Sequence, residues 1–245
     1  MNEVKMSNKN LFKTKLFSPL AIVVVVAMVA LSCKKSDDTY RNYQATGGNF
    51  SGNALQYLQS QPGVYDSMLF VMNRLGRIAD TAATKEITLF AVTNRSLALA
   101  LQNIIQARLD SIPAMQPVSL ATIDSTVLDT FLCRYFLQGK HLSEEIADLA
   151  DGLFFPTITY KNFFTSDTSY TMQMQYTSTN ASGYVGGGPK AIIYSDPKGS
   201  IFTRYWIRVN TMTVDIKTSN AIVHLLPPGH DFGFGDEFVR AVNKR

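Results

Sequence analysis

The pattern of apolar and polar positions changes character twice along the chain. Over residues 53–82 apolar side chains recur at helical spacing. Ala54, Leu55 and Leu58 form a first set, Pro62-Gly63 interrupts it, and Tyr65, Leu69, Met72 and Leu75 resume it as far as Gly76. Residues 86–94 (Glu-Ile-Thr-Leu-Phe-Ala-Val-Thr-Asn) are rich in β-branched and aromatic types and predict a half-buried strand. The helical period returns over residues 95–109, where Leu97, Leu101, Ile104, Ile105 and Leu109 are expected on one face. Thr93 and Asn94 stand at the junction, as short polar side chains suited to capping the helix and closing the turn.

Pro113 and Pro117 mark a connection, and residues 125–137 begin as a helix with Val127, Leu128 and Phe131 on one side. They run into a short strand, Tyr135-Phe136-Leu137, ended by Gly139. A helical turn is expected over residues 142–149, capped by Ser143 with Glu144 and Glu145 in its first turn. Beyond Asp151-Gly152 the signal is β. Strands are predicted at 157–160, 170–177, 191–195, 205–214 and 220–226, with the longest loop at 178–190. In the second of these Met172, Met174 and Tyr176 alternate with Thr171, Gln173 and Gln175. Helices first and strands later, without regular alternation, predict an α+β domain with a largely antiparallel sheet.

The N-terminus changes how the charge is read. Residues 1–32 carry four lysines against one acid, so they account for three of the four net positive charges of the chain. No basic stripe remains in the body, which argues against a nucleic-acid partner. The same segment has a Lys-bearing start, an uncharged apolar run from 20 to 31, and Ser32-Cys33. The run is short for a bilayer span, which needs about 20 apolar residues, and fits a secretory signal. Ala30-Leu31-Ser32-Cys33 resembles a bacterial lipobox, which makes Cys33 the expected lipidated residue and the membrane a partner through that anchor. The charged tract that follows, Lys34-Lys35-Ser36-Asp37-Asp38, resembles the surface-export signal of Bacteroidota lipoproteins. The expected address is therefore the outer membrane, facing the exterior. The chain divides into a signal segment (1–32), a flexible tether (33–52), a domain (53–228) and a tail (229–245). Cys133 is the one other cysteine and sits among apolar residues, as a small buried hydrophobe would.

Three stretches carry a family resemblance. Residues 88–97, Thr-Leu-Phe-Ala-Val-Thr-Asn-Arg-Ser-Leu, resemble the first signature of the fasciclin (FAS1) family. Leu132-Cys133-Arg134-Tyr135-Phe136 falls where that family has a Tyr-His pair. Residues 219–225, Ser-Asn-Ala-Ile-Val-His-Leu, resemble its second signature. Val92, Phe136 and Ala221 stand where the family patterns have Pro, His and Gly. The resemblance implies a FAS1-like β-sandwich or wedge with helices packed around it. It also makes Phe90, Thr93, Asn94, Tyr135, Asn220 and His224 structural motif positions, with the strands of Leu89 and Val223 in one core.

Candidate chemistry is sparse. His224 lies in an alternating strand, as a hydrogen-bonded structural histidine would. His230-Asp231 and Asp236-Glu237 have no recognisable metal spacing, and the triple glycine before Lys190 lacks the ending of a phosphate loop. No cofactor, metal or catalytic set is implied. Tyr160, Tyr170 and Tyr184 lie among Thr, Ser and Asn and are the expected binding surface. The composite expectation is a lipid-anchored surface protein that binds an extracellular protein or polysaccharide. An accessory glycan-binding component of a polysaccharide-uptake system and a surface hydrolase remain as alternatives.

Overall fold

The computed structural model describes residues 48–111, 117–147, 149–160, 168–178 and 190–244. Cys33, the signal segment, most of the tether and Tyr184 lie outside the described residues.

Three short helices follow the interrupted pattern: α1 (Ala54–Gln59), α2 (Asp66–Leu75) and α3 (Arg77–Thr84). α1 opens on a reciprocal cap. The Gln56 N–H donates to Asn53 Oδ1 at 2.8 Å and the Asn53 N–H donates to Gln56 Oε1 at 2.9 Å. Gly76 joins α2 to α3 at φ +61°, a left-handed conformation that a side chain disfavours. α2 buries Met68, Val71 and Met72 and leaves Leu69 and Leu75 at the rim, so its inner face is turned slightly from the one expected.

Strand β1 (Ile87–Ala91) is buried throughout and passes into helix α4 (Asn94–Ser111). Leu97, Ala100 and Ile104 form the buried row of α4. Ile105 and Leu109, expected on the same face, form an exposed i,i+4 row instead. Successive helical residues are turned by about 100°, so Ile105 cannot share the direction of Ile104. Helix α5 (Ser125–Leu132) is capped by Asp124, whose Oδ1 accepts from Thr126 N–H at 2.8 Å. A 3₁₀ turn, Cys133–Tyr135, leads from it into β2 (Phe136–Gln138).

The remaining strands are β3 (Leu153–Pro156), β4 (Thr171–Ser178), β5 (Lys190–Asp196), β6 (Ile207–Asn210), β7 (Thr213–Lys217) and β8 (Ala221–Leu225). They are followed by helix α6 (Asp236–Asn243). They form two four-stranded sheets, β2-β1-β8-β7 and β3-β4-β5-β6. The fold is thus α+β with two mostly antiparallel sheets. The exception is the parallel pairing of β1 with β8, in which Leu89 lies opposite Val223. The strands expected to share a core are therefore neighbours in one sheet.

Two strand predictions shift. The strand expected at 157–160 lies at β3, and Thr157 and Tyr160 make isolated bridges. The strand expected at 205–214 divides, because the chain changes sheet. The Thr211 N–H donates to Ile192 O at 2.9 Å in one sheet and the Met212 N–H to Leu225 O at 2.8 Å in the other. Gly152, just before β3, approaches β4 so closely that a Cβ would lie 2.1 Å from Met174 O.

The core joins both sheets. The Phe90 ring of β1 stacks on the Tyr194 ring of β5, with centroids 3.6 Å apart. The segment separated in the sequence as a tail contributes Phe232, Phe234, Phe238 and Val242 to the same core. At the other end the last tether residues lie along β7, where Phe50 N–H donates to Lys217 O at 2.8 Å. Among the described residues no helix is long and apolar enough to cross a membrane.

Asn220 ties three elements together. Its Oδ1 accepts from Ala54 N–H at 3.0 Å, and its Nδ2 donates to Ala82 O at 3.0 Å and Lys85 O at 2.8 Å. An Asn220→Ala change removes these bonds and leaves partly buried backbone groups unmade. It should lower unfolding free energy by about 2–4 kcal/mol, read as a reduced urea midpoint with unchanged slope.

Candidate functional site

The motif positions are mostly internal braces. Asn94 reaches beyond its own helix: its Oδ1 accepts from Ser67 N–H at 2.7 Å and its Nδ2 donates to Gly63 O at 2.9 Å, clipping the start of α2. Thr93 Oγ1 meets Ser96 twice, accepting from its N–H at 3.4 Å, a long cap, and lying 3.3 Å from its hydroxyl. The Tyr135 hydroxyl accepts from Gly233 N–H at 2.8 Å and so offers its own proton to His230 Nε2 at 2.7 Å. It lies fully buried between residues of the former tail.

His224 is fully buried in β8. Its Nδ1 accepts from Asp215 N–H at 3.2 Å, which leaves Nε2 as the protonated nitrogen facing His141 O at 3.3 Å. Burial is the main reason its pKa falls to about 4, against the opposing charge of Asp215 and the carbonyl of His141; the nearby His141 lowers it further. Burial alone takes His230 down to about 3. Both rings are neutral at pH 7. Asp215 sits at φ +61° in an irregular stretch of β7 and also holds Ser143, whose N–H donates to Asp215 Oδ1 at 2.8 Å and whose hydroxyl donates to Oδ2. Ser143 is thus the first residue of a 3₁₀ turn (Ser143–Ile146) that Asp215 caps, rather than the cap itself. The hydroxyl faces a carboxylate and the imidazole faces backbone, so these three residues form no nucleophile–base relay.

The acidic and histidine residues near the end are dispersed into separate contacts. Asp231 faces Asn103 Nδ2 at 3.3 Å, Asp236 faces Arg240 Nη1 at 3.0 Å, and Glu237 faces Arg134 Nη1 at 3.1 Å. Among the described residues no three His, Cys, Asp or Glu side chains gather as metal ligands. Cys133 is buried, and burial pushes its thiol up to about 12 with Asp129 adding to the effect, so it is an inert packing residue.

A buried ion pair lies at the end of β5. Arg134 Nη1 donates to Asp196 Oδ2 at 2.6 Å, and its guanidinium is sandwiched between the Phe131 and Tyr170 rings, 4.4 Å from each centroid. The other Asp196 oxygen accepts from the Tyr170 hydroxyl at 2.7 Å and from Lys198 N–H at 2.8 Å. Burial opposes the Arg134 charge, yet Asp196, Tyr170 and Glu237 hold its pKa above the ordinary arginine value. Tyr170, expected at the binding surface, is therefore half-buried and engaged here. Tyr160 is half-buried against the core.

The exposed aromatic surface lies elsewhere, after Asp196. The loop beyond it is closed by Ser200 N–H donating to Pro197 O at 2.9 Å, Trp206 Nε1 donating to Ser200 O at 2.7 Å and Tyr205 N–H donating to Phe202 O at 3.0 Å. From this hydrogen-bonded frame Ile201 projects 86% exposed, and Phe202 and Tyr205 are both more than half exposed. The Arg204 guanidinium lies 5.4 Å from the Phe202 centroid and 4.7 Å from that of Tyr205.

The chain then enters β6 with Trp206 and Arg208 on the outer face of the second sheet. Arg208 lies opposite Ser195, Ser195 opposite Gln173, and Gln173 opposite Phe154, in one row across all four strands. Arg208 covers the Trp206 ring at 5.4 Å, and Trp206 meets Phe154 edge to face at 5.5 Å. The backbones of β3 and β6 are roughly 14 Å apart at the usual strand spacing. Rings rooted at these two edges can meet only above the strands between them, over Gln173 and Ser195. Both residues are consequently 1% exposed although they belong to the polar face of their strands. Gln173 Nε2 donates to Asp151 O at 2.6 Å, whereas Gln173 Oε1 and Ser195 Oγ have no partner among the described residues. Sequence alternation placed Gln173 on the face opposite Met172 and Met174 without indicating that it would be covered, and read 205–214 as plain strand. The available signal was the single Trp of the chain, set among Ile201, Phe202, Arg204, Tyr205 and Arg208.

A separate cleft of about 330 Å³ is lined by residues including Arg108, Val118, Ile123, Asp124 and Val242. It is a shallow recess between α4, α5 and α6.

No family model matches the chain, and no curated protein matches it. Among solved structures it is similar to a FAS1 domain pair from the insect cell adhesion molecule fasciclin I, at 13% identity and a TM-score of 0.43. The likeness covers 77% of this chain and 52% of that one, so the chain spans about half the length of the structure it matches. At that distance a functional reading rests on the side chains described above.

The neutral histidines set a pH dependence. Their folded pKa values lie below the unfolded value of about 6.5, so the unfolded chain binds more protons in between. Stability should be level above about pH 6.5 and fall on acidification, by up to about 1.4 kcal/mol per pH unit per histidine. The loss extends towards about 4 for His224 and about 3 for His230. Urea unfolding between pH 7.5 and 5 isolates this effect from most carboxylates. His224→Gln, which can still accept from Asp215 N–H and donate to His141 O, should flatten the slope, and a curve already flat in the parent chain would contradict the neutral assignment.

Proposed function

We propose that this chain is an outer-membrane lipoprotein, anchored by acyl groups on Cys33, that binds an extracellular partner through the surface of Phe202, Arg204, Tyr205, Trp206, Arg208 and Phe154. The observation that carries the reading is the rigidly framed display of large apolar side chains with interleaved arginines. Tyr, Trp and Arg are the residues enriched where binding energy concentrates. Holding Phe202 and Tyr205 more than half exposed has no evident folding benefit, whereas a partner that covers them gains their burial. Prior hydrogen bonding of the loop means that little conformational entropy is lost on association.

Lipidation supports the same role from the other end of the chain. Two or more acyl chains give stable attachment where one does not, and a polar tether lets the binding surface stand clear of the bilayer. Cys33→Ser should abolish labelling by radioactive palmitate and move the protein out of the membrane fraction. Palmitate incorporation that survives the change would exclude Cys33 as the anchor.

For the binding surface, the full chain purified in detergent is immobilised and incubated with envelope extracts, and bound sugar and protein are quantified. Phe202→Ala with Tyr205→Ala should reduce capture about tenfold or more while leaving the urea midpoint unchanged, because both rings are exposed. Equal capture by the parent and the double variant would show that this surface is not the binding site.

A further inference from the structure

The chemistry of the partner can be narrowed from the outer face of the second sheet. Phe154 and Trp206 meet across the sheet face that carries Gln173 and Ser195, whose Oε1 and Oγ atoms have no hydrogen-bond partner among the described residues. The Gln173 oxygen can only accept, since its Nε2 is committed to Asp151 O. The Ser195 hydroxyl can donate or accept. A group that fits both at once must donate to Gln173 Oε1 and can either accept from or donate to Ser195 Oγ, and a sugar hydroxyl can do both together.

Beside this polar floor stand flat aromatic faces suited to stacking on the apolar face of a sugar ring. The two flanking cations, Arg204 and Arg208, are exposed and stacked on aromatic rings, and neither forms an ion pair with a carboxylate among the described residues. Arg134 and Lys198, by contrast, are both engaged by acids. The free charge on this face is positive, and its complement is an anionic group that a guanidinium can hold through two hydrogen bonds.

We infer that this face binds an acidic polysaccharide of the uronic-acid class. Sugar hydroxyls reach Gln173 Oε1 and Ser195 Oγ, a sugar ring stacks on Trp206, and carboxylates pair with Arg208 and Arg204. The inference rests on the binding role proposed above and names the ligand for the same surface. Access requires the Phe154 ring to swing off the floor. That ring is more than half exposed on an edge strand, so its displacement disturbs little of the core.

Trp206 is the single tryptophan of the chain, so intrinsic fluorescence reports on this face alone. The full chain in detergent is titrated with polygalacturonate, with dextran as an uncharged polysaccharide and polyglutamate as a polyanion without sugar. The expected result is a saturable change in Trp206 emission with polygalacturonate, none with dextran, and binding to polyglutamate weaker by about tenfold or more. Arg204→Gln with Arg208→Gln should weaken polygalacturonate binding about tenfold and reduce its salt dependence. Ser195→Ala removes an unpaired buried hydroxyl, so it should unfold at the same or a higher urea concentration and yet bind polygalacturonate several-fold less tightly; a merely structural Ser195 would not separate the two readouts. Equal affinity for polyglutamate, or Ser195→Ala binding like the parent, would reduce the face to a cationic surface and overturn the inference. If polygalacturonate leaves the emission unchanged while Phe202→Ala with Tyr205→Ala still abolishes capture from envelope extracts, the uronic-acid assignment fails and the binding role stands. If both experiments are negative, both fail.

Discussion

The exposed surface of this protein depends on a carboxylate that water does not reach. Asp196 is fully buried at the last position of β5, and its two oxygens take hydrogen bonds from Arg134, Tyr170 and the Lys198 backbone. Removing a charge from water is unfavourable unless partners replace the lost hydration, and breaking such a pair on one side typically costs about 3–5 kcal/mol. The arrangement is therefore stringent. Arg134 is itself fixed by the end of α5 and by two aromatic faces, and its backbone carbonyl accepts from the Tyr194 hydroxyl. Tyr194 stacks on Phe90 in the first sheet. One chain of contacts thus runs from the central strand of the first sheet, through Tyr194 and Arg134, to the residue where the display loop leaves the second. The loop can carry exposed rings without collapsing onto them because its base is held by the core.

How much of this was legible from residue order differs by level. The α+β arrangement could be read because period changes are local: 3.6 around Leu97, Leu101 and Ile104, and near 2 around Met172 and Met174. The neighbourhood of β1 and β8 came from the family resemblance, since a parallel pairing between residues more than a hundred positions apart leaves no trace in periodicity. Asn220 shows the same limit at the scale of one side chain. Its type suggests a turn, whereas its three bonds to Ala54, Ala82 and Lys85 depend on helices far away in sequence.

The aromatic and arginine face of the second sheet was harder to see for a definite reason. Alternation along β4 sorts Gln173 with Thr171 and Gln175 on the face opposite Met172 and Met174, and its side chain does leave the strand on that side. Its burial comes from rings anchored on the two edge strands and meeting above it, a property of sheet order that no single strand encodes. The reverse holds for Tyr170, whose polar neighbours suggested exposure before its hydroxyl was seen on Asp196. Residues 229–245 were separated as a tail after Pro227-Pro228-Gly229, which stops a strand. The chain turns there and returns four apolar side chains, Phe232, Phe234, Phe238 and Val242, to the core. A strand terminator is not a domain boundary.

The cover over Gln173 and Ser195 has an energetic consequence. A buried polar atom left unbonded is destabilising by about 1–3 kcal/mol, and two lie side by side under the Phe154–Trp206 contact. The Phe154–Trp206 contact itself is worth about 0.5–1.5 kcal/mol, less than the combined polar cost of two such atoms, about 2–6 kcal/mol. The ring contact alone does not offset that cost, so the closed face is less stable than a fully bonded one would be. Any ligand that supplies a hydroxyl to the floor removes the polar penalty, and its ring faces can replace the lost aromatic contact. Arg134 Nε is likewise buried without a partner among the described residues, but its guanidinium is already held by Asp196 and Glu237, so the proposed ligand would have more to gain at the row of Gln173 and Ser195.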